Sequence, residues 1–300
     1  MEGNAAVVNK STAAVSGTQK KARRSYLLRH PGSALLKGLV YLAAGITFLV
    51  LLFLIGYILV MGIPHITTDL FAWTYTTENV SMLPAILTTV LLTAFSLLLA
   101  VPLGVFAAIF LVEYAGKNKR LVGVIRLTAE TLSGIPSIVY GLFGMLFFVT
   151  ALEWGYSILS GAFTMVIMIL PLIMRTTEEA LKSVPDSFRE ASFGLGAGKL
   201  RTIFKIVLPA AVPGILAGVI LGIGRIVGET AALIYTAGSV AKVPGSLMDS
   251  GRTLAIHMYT LSTEGLYMDQ AYATAVVLIV LVLLINWLSA FVAKRVGAKG

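Results

Sequence analysis

Six long apolar runs, separated by polar and basic stretches, set the pattern of this chain. They cover about residues 39–61, 85–112, 135–152, 158–174, 206–235 and 271–293. A helix needs roughly 20 apolar residues to cross a bilayer, so the pattern predicts about six transmembrane helices and an all-α integral membrane protein. A half-polar stretch with Arg126 and Glu130 precedes the third run, and fits either an interfacial helix or an extension of the span. Pro171 interrupts the fourth run. A polar loop, residues 64–84, and a longer one, residues 238–270, separate other runs. Between the fourth and fifth runs lies a polar segment, residues 175–205, and overlapping its end is the glycine-punctuated stretch EASFGLGAGKLRTIFKIVLP, residues 190–209.

Composition agrees with the pattern: 57% of residues are apolar and 12% charged, as in chains dissolved in lipid. The excess of 23 Lys+Arg over 14 Asp+Glu does not mark a nucleic-acid binder, because the basic residues punctuate the apolar runs and form no soluble patch. With no cysteine, disulfides and thiolate metal sites are excluded. His30, His65 and His257 are too scattered for a metal site and read as ordinary loop residues. Residues 1–37 read as a disordered basic tail without the features of a cleaved signal peptide. The membrane domain is expected over 38–295, with 296–300 as a short end. Of the 23 basic residues, 20 fall on the tail, the loop over 113–130, the 175–205 segment and the C-terminal end. The positive-inside rule therefore puts both termini and the 190–209 stretch in the cytoplasm.

That stretch predicts two short helices. Ser183 and Pro185 form a start signal, with Asp186 and Glu190 near the positive N-terminal end. Gly194, Gly196 and Gly198 force a turn, and residues 199–207 can form a second helix with Ile203, Phe204 and Val207 facing one way and Arg201 and Lys205 the other. Pro209 closes it before the fifth span. GLGAG lacks dinucleotide-binding spacing and follows no strand, and Gly198-Lys199 is followed by Leu200, so no phosphate-binding loop is present.

On the fifth run, Ala211, Gly214, Gly218, Gly222, Arg225, Glu229, Ala232 and Thr236 share one helical face. Leu216, Ile220, Ile223, Val227 and Ile234 lie opposite, against lipid or an apolar neighbour. Small residues at this spacing admit a second helix, and charges inside a span face the bundle or an aqueous cavity. Two readings stay open: an i,i+4 Arg225–Glu229 pair that fixes packing, or an Arg225 charge offered to an anion in transit with Glu229 competing for it. On the third run Gly134, Ser137, Gly141 and Gly144 share a face beside Tyr140, and suit either an anion path or plain helix packing.

Glu190-Ala191-Ser192, three residues, Gly196, nine residues, then Ile206-Val207-Leu208-Pro209 resembles the EAA loop of ABC-importer permeases, with Ser192 in place of the second alanine. GIPSIVYGLFG at 134–144, GRIVGETAALIYTAG at 224–238 and the run from Pro244 through Tyr259 are similar to the A-type permease of phosphate (Pst-type) importers over most of residues 38–295. The resemblance implies a type I importer permease fold. It implies that Asp186, Glu190, Ala191, Ser192, Gly196, Ile206, Leu208 and Pro209 belong to cytoplasmic coupling helices, over about 183–209, that dock on an ATPase. It also implies that Arg225, Glu229, Thr230, Ser137 and Tyr140 border the path of the anion. The implied partners are a second related permease, two cytoplasmic ATPase subunits and an extracytoplasmic phosphate-binding protein, which Lys242, Arg252, Tyr259 and Tyr267 would help receive. ATP and Mg would reside in the ATPase subunits, with no cofactor and no catalysis in this chain, in a bacterial inner membrane. The alternatives are an importer of sulfate or molybdate, and a stand-alone secondary anion carrier. A membrane enzyme is disfavoured because no catalytic constellation converges.

Overall fold

The computed structural model describes residues 31–115 and 119–297, and all regular structure among them is helical. Helix α1, Pro31–Gly62, begins within the expected tail, so residues 31–37 are helical; residues 1–30 lie outside the described residues. The chain to Ile58 forms a unit of its own, with side chains such as Phe48 and Phe53 exposed around the helix.

The second unit is built on α2 (Leu83–Ile109), α5 (Ile158–Ser183), α8 (Leu208–Val227) and α11 (Met268–Gly297). Helix α5 is the innermost: α2 and α8 both pack on it, and α11 packs on α8. Lipid tails are as apolar as leucine, so close fit rather than water exclusion holds such helices together. Gly218 shows how close: an added Cβ would lie 2.0 Å from the Thr176 hydroxyl on α5. The small face of α8 meets α5 as its spacing predicts, with Gly214 against Ala180. Opposite it, Ile223 and Val227 are buried.

Among the described residues, five helices are long and apolar enough to cross a membrane, or six if a bent pair counts as one span. The pair consists of α3, Lys119–Ser133, and α4, Ser137–Gly144, which continues as a π-helical turn, Met145–Ala151. The two halves meet at 99°. Pro136 supplies no N–H and pushes Ile135 towards extended backbone, so the helix stops at the Gly134-Ile135-Pro136 elbow. The half-polar stretch is thus a separate helix and not an extension of the span. Past the elbow, α4 and its seven-residue π turn rise about 22 Å, short of the ~30 Å hydrocarbon core.

Prolines interrupt less than expected. Helix α5 passes through Pro171 and carries the first part of the supposed polar segment out to Ser183. Its added turns are amphipathic: Thr177, Ala180 and Leu181 are buried, Arg175 pairs with Glu179 at 3.2 Å on the exposed side, and the buried Glu178 pairs with Lys182 at 2.6 Å and with Arg126. Nor does Pro209 close a helix. A π turn, Ile203–Val207, lets the Leu208 N–H reach the Ile203 carbonyl, and the chain runs on helically through the proline into α8. The fifth run, expected helical over 206–235, instead breaks at Gly228–Thr230 before the short α9, Ala231–Ile234. The 238–270 loop contains a helix, α10, Leu254–Glu264, in which His257 is fully buried; it is no ordinary loop residue. Helix α11 runs to Gly297, two residues into the expected C-terminal end, and 298–300 lie outside the described residues.

Candidate functional site

The EAA loop forms a tight V. Its first arm, α6, spans Asp186–Gly194, with Pro185 as its N-cap and Asp186 in its first turn. The second, α7, spans Lys199–Thr202 and leads into the π turn. Between them Gly196 has φ +81°, a left-handed conformation that favours glycine. Ser192, the departure from the EAA pattern, is buried, and its hydroxyl lies 2.8 Å from that of Thr202, tying the arms together. An alanine there would forgo this bond. Glu190 and Ala191 are exposed, as is Pro209; Ile206 and Leu208 are half-buried. Phe204 is exposed and does not join Ile203 and Val207, which are buried.

Four large apolar side chains on the V have nothing over them. Phe188, Phe193 and Leu200 are exposed, and Leu195, at the tip, is 89% exposed. The inner side is anchored by Arg189, which the sequence reading passed over. Its guanidinium donates to Glu113 Oε1 from Nε at 3.1 Å and Nη2 at 2.9 Å. It also donates to the Leu181 carbonyl at 3.0 Å, the Val184 carbonyl at 2.9 Å and Asp186 Oδ1 at 3.2 Å.

Arg225 and Glu229 are not an i,i+4 pair. Helix α8 ends at Val227, so Glu229 lies past its end, in the break before α9, and forms no ion pair with Arg225. Glu229 Oε1 instead accepts from the Ala232 N–H at 3.0 Å and caps α9, whose N-cap is Thr230. Arg225 is half-buried, and among the described residues no carboxylate or hydrogen-bond acceptor is within reach of its guanidinium. It lies within electrostatic range of Tyr140.

Tyr140 is buried on α4, and its hydroxyl donates across the elbow to the Leu132 carbonyl at 2.7 Å. Gly141 packs on α9, where an added Cβ would lie 2.8 Å from Ala232 Cα. Gly144 meets Thr164 and Thr236. Here the glycines serve helix packing, and they seat the bent pair against the segment that follows Arg225. Ser137, half-buried, starts α4.

At the α10 end, Arg252 Nε donates to the Ser239 carbonyl at 2.8 Å and its guanidinium lies over the Tyr75 ring. Its Nη1 is 3.4 Å from His257 Nδ1. Burial, with the Arg252 charge adding to it, pushes the His257 pKa down to about 4. Tyr267 donates to the Thr77 carbonyl at 3.1 Å, and Tyr259 and Lys242 are exposed.

The apolar helices of the second unit, with the EAA V between α5 and α8 and a charged break after α8, fit a membrane permease. The chain belongs to the family of binding-protein-dependent transport system inner membrane components, which it matches over residues 100–298. It is 37% identical over 224 residues to the probable ABC transporter permease protein YqgI of Bacillus subtilis, covering 68% of this chain and 76% of that protein. It is 37% identical over 203 residues to the phosphate transport system permease protein PstA 1 of Mycobacterium tuberculosis, covering 66% of each. It is also 31% identical to the phosphate transport system permease protein PstA of Haemophilus influenzae, over 86% of this chain and 92% of that one. The chain thus spans about two thirds or more of the relatives it matches here. The permease of a bacterial alginate ABC transporter superposes with a TM-score of 0.65 at 18% identity, over 90% of this chain and 98% of that one. The MetNI methionine ABC transporter superposes with a TM-score of 0.55 at 21% identity, over 71% and 93%.

Proposed function

We propose that this chain is the membrane-spanning permease subunit of an ATP-driven importer that carries inorganic phosphate into the cytoplasm of a bacterial cell. The observation that carries this reading is the uncovered apolar tip of the EAA V. Phe188, Phe193, Leu195 and Leu200 project from two short helices on a loop that is otherwise polar and basic. Apolar anchors rimmed by charge suit the cleft of a partner protein, and the resemblance of the spacing to the EAA loop of ABC-importer permeases supports an ATPase as that partner. Hydrolysis of ATP with Mg then resides in two ATPase subunits, and this chain holds no cofactor and no catalytic group. A second related permease completes the path, and an extracytoplasmic phosphate-binding protein delivers the anion to the side bearing α10. The basic bias supports a topology with both termini and the V in the cytoplasm.

Phosphate follows from the relatives, and Arg225 gives it a physical basis. A half-buried guanidinium without a counter-ion offers charge-assisted hydrogen bonds to an oxyanion. Glu229 is held at the start of α9 while Arg225 is free; a shift of the break that brings the carboxylate to the guanidinium would expel the anion. Thr230, Ser137 and Tyr140 border the same region.

The test is purification of the tagged chain with its partners, followed by uptake of labelled phosphate into proteoliposomes. Uptake that needs both ATP and the binding protein, and that excess sulfate or molybdate leaves unchanged, is the expected result. Uptake driven by an ion gradient without an ATPase would indicate a secondary carrier, and preferential sulfate uptake a different oxyanion importer.

A further inference from the structure

The V of the EAA loop grips more than its own two flanking helices. The π turn at the end of α2, Phe110–Tyr114, sits between its arms and is held from both. From the first arm, Arg189 closes a two-nitrogen fork on a single oxygen of Glu113, with distances of 3.1 and 2.9 Å. Both side chains are largely enclosed, at 15% and 10% exposure, so water screens the pair little. From the second arm, Lys199 donates to the Glu113 backbone carbonyl, and its ammonium lies 4.5 Å from the centre of the Tyr114 ring. The same guanidinium also takes the Leu181 and Val184 carbonyls at the end of α5. One arginine therefore ties together the ends of α2 and α5 and the first arm.

We infer that Arg189, Glu113, Lys199 and Tyr114 are positioning residues that make α2 a driven element of transport. Peptide bonds join the V only to α5 and α8, so a force applied at Leu195 reaches those two helices through the backbone. It reaches α2 through the apolar packing of α2 on α5 and the V, and through the polar grip of these side chains on its cytoplasmic end. With the clamp closed, the three helices move as one body; with it open, the cytoplasmic end of α2 follows α5 and α8 through apolar packing alone and lags behind them. The prediction is a loss of coupling and not a loss of binding. This inference rests on the V being the ATPase-docking element.

The experiment uses the whole complex in proteoliposomes with binding protein present, and reads phosphate imported per ATP hydrolysed. Glu113→Gln removes the charge from the fork, and Lys199→Met removes the second grip from an exposed position. Each is expected to keep binding-protein-stimulated ATPase within about twofold of wild type while phosphate per ATP falls about tenfold or more. A clamp that merely supports folding would lower both rates together and leave their ratio unchanged, and that result overturns the inference. As a further arm, Glu113→Cys with Arg189→Cys in this cysteine-free chain allows the clamp to be remade by a short bifunctional thiol reagent. Recovery of the ratio on cross-linking supports the inference, and a ratio unchanged by the reagent overturns it. If the wild-type complex shows no ATP-dependent uptake at all, the docking reading itself fails, and that outcome is read before any variant is made.

Discussion

Two half-buried arginines in this chain have opposite surroundings. Arg189 spends its donors on a carboxylate, a second carboxylate and two helix-end carbonyls, all within 3.2 Å. Arg225, in the last turn of α8, has no acceptor among the described residues. Taking a guanidinium out of water is costly, and the cost is normally met by matched acceptors nearby. Where they are present, as at Arg189, the side chain is part of the frame. Where they are absent, as at Arg225, the described residues leave the charge unmatched, which is the basis for proposing it as an anion contact.

The largest effect that sharpens this contrast is on stability. Arg189→Ala leaves Glu113 enclosed and uncompensated and strips caps from α5, at a cost of about 3–5 kcal/mol. Arg225→Gln should cost less than about 0.5 kcal/mol. Thermal or denaturant unfolding in detergent compares the two, and equal losses would erase the distinction.

Next comes transport. Arg225→Gln removes about 3 kcal/mol of charge-assisted bonding to the anion, so uptake should fall on the order of 100-fold at unchanged assembly. Retained uptake in a fully assembled variant would reduce Arg225 to a bystander.

The third concerns a basic group that the fold keeps neutral. His257 titrates near 6.5 when unfolded and at about 4 in the folded chain, with Arg252 and Tyr75 as its side-chain neighbours. Between those values the unfolded state binds a proton that the folded state refuses. The stability contribution is therefore full above about pH 6.5 and is lost as pH falls towards 4, by roughly 2 kcal/mol at pH 5. Melting curves from pH 7 to pH 5 should show that slope, and His257→Gln should flatten it.

The smallest effect lies within the V. Ser192→Ala removes the 2.8 Å contact with Thr202, which retains the Gly198 carbonyl at 3.2 Å, so about 1 kcal/mol should be lost. Hydrogen exchange over 190–205 measures it, and an unchanged pattern would mean that the hydroxyl adds nothing to what alanine provides.

The apolar runs carried the spans, because a bilayer demands unbroken lengths of apolar helix and such lengths are visible in one dimension. The EAA loop was legible as two arms and a glycine turn for the same local reason. Helix ends were less legible. Pro171 and Pro209 read as stops, yet neighbouring turns pack well enough to carry the helix past them, in one case by a π turn that shifts the hydrogen-bond ladder by one residue. That turn also upset the reading of faces, which put Phe204 with Ile203. The break at Gly228 was hidden because ETAAL, residues 229–233, continues a helical spacing, and the contact of Ala232 with Gly141 on another helix cannot be seen in one dimension. The Glu113–Arg189 pair joins residues 76 apart, and nothing in either neighbourhood announces the other.

A guanidinium kept without a partner also makes occupancy a matter of endurance. An oxyanion that settles on Arg225 stabilises the folded chain by RT ln(1 + [L]/Kd), about 1.4 kcal/mol for each decade of concentration above Kd. If Arg225 holds the anion as proposed, the permease would be toughest when its cargo is plentiful and softest when cargo is scarce, and its lifetime in the membrane would record supply.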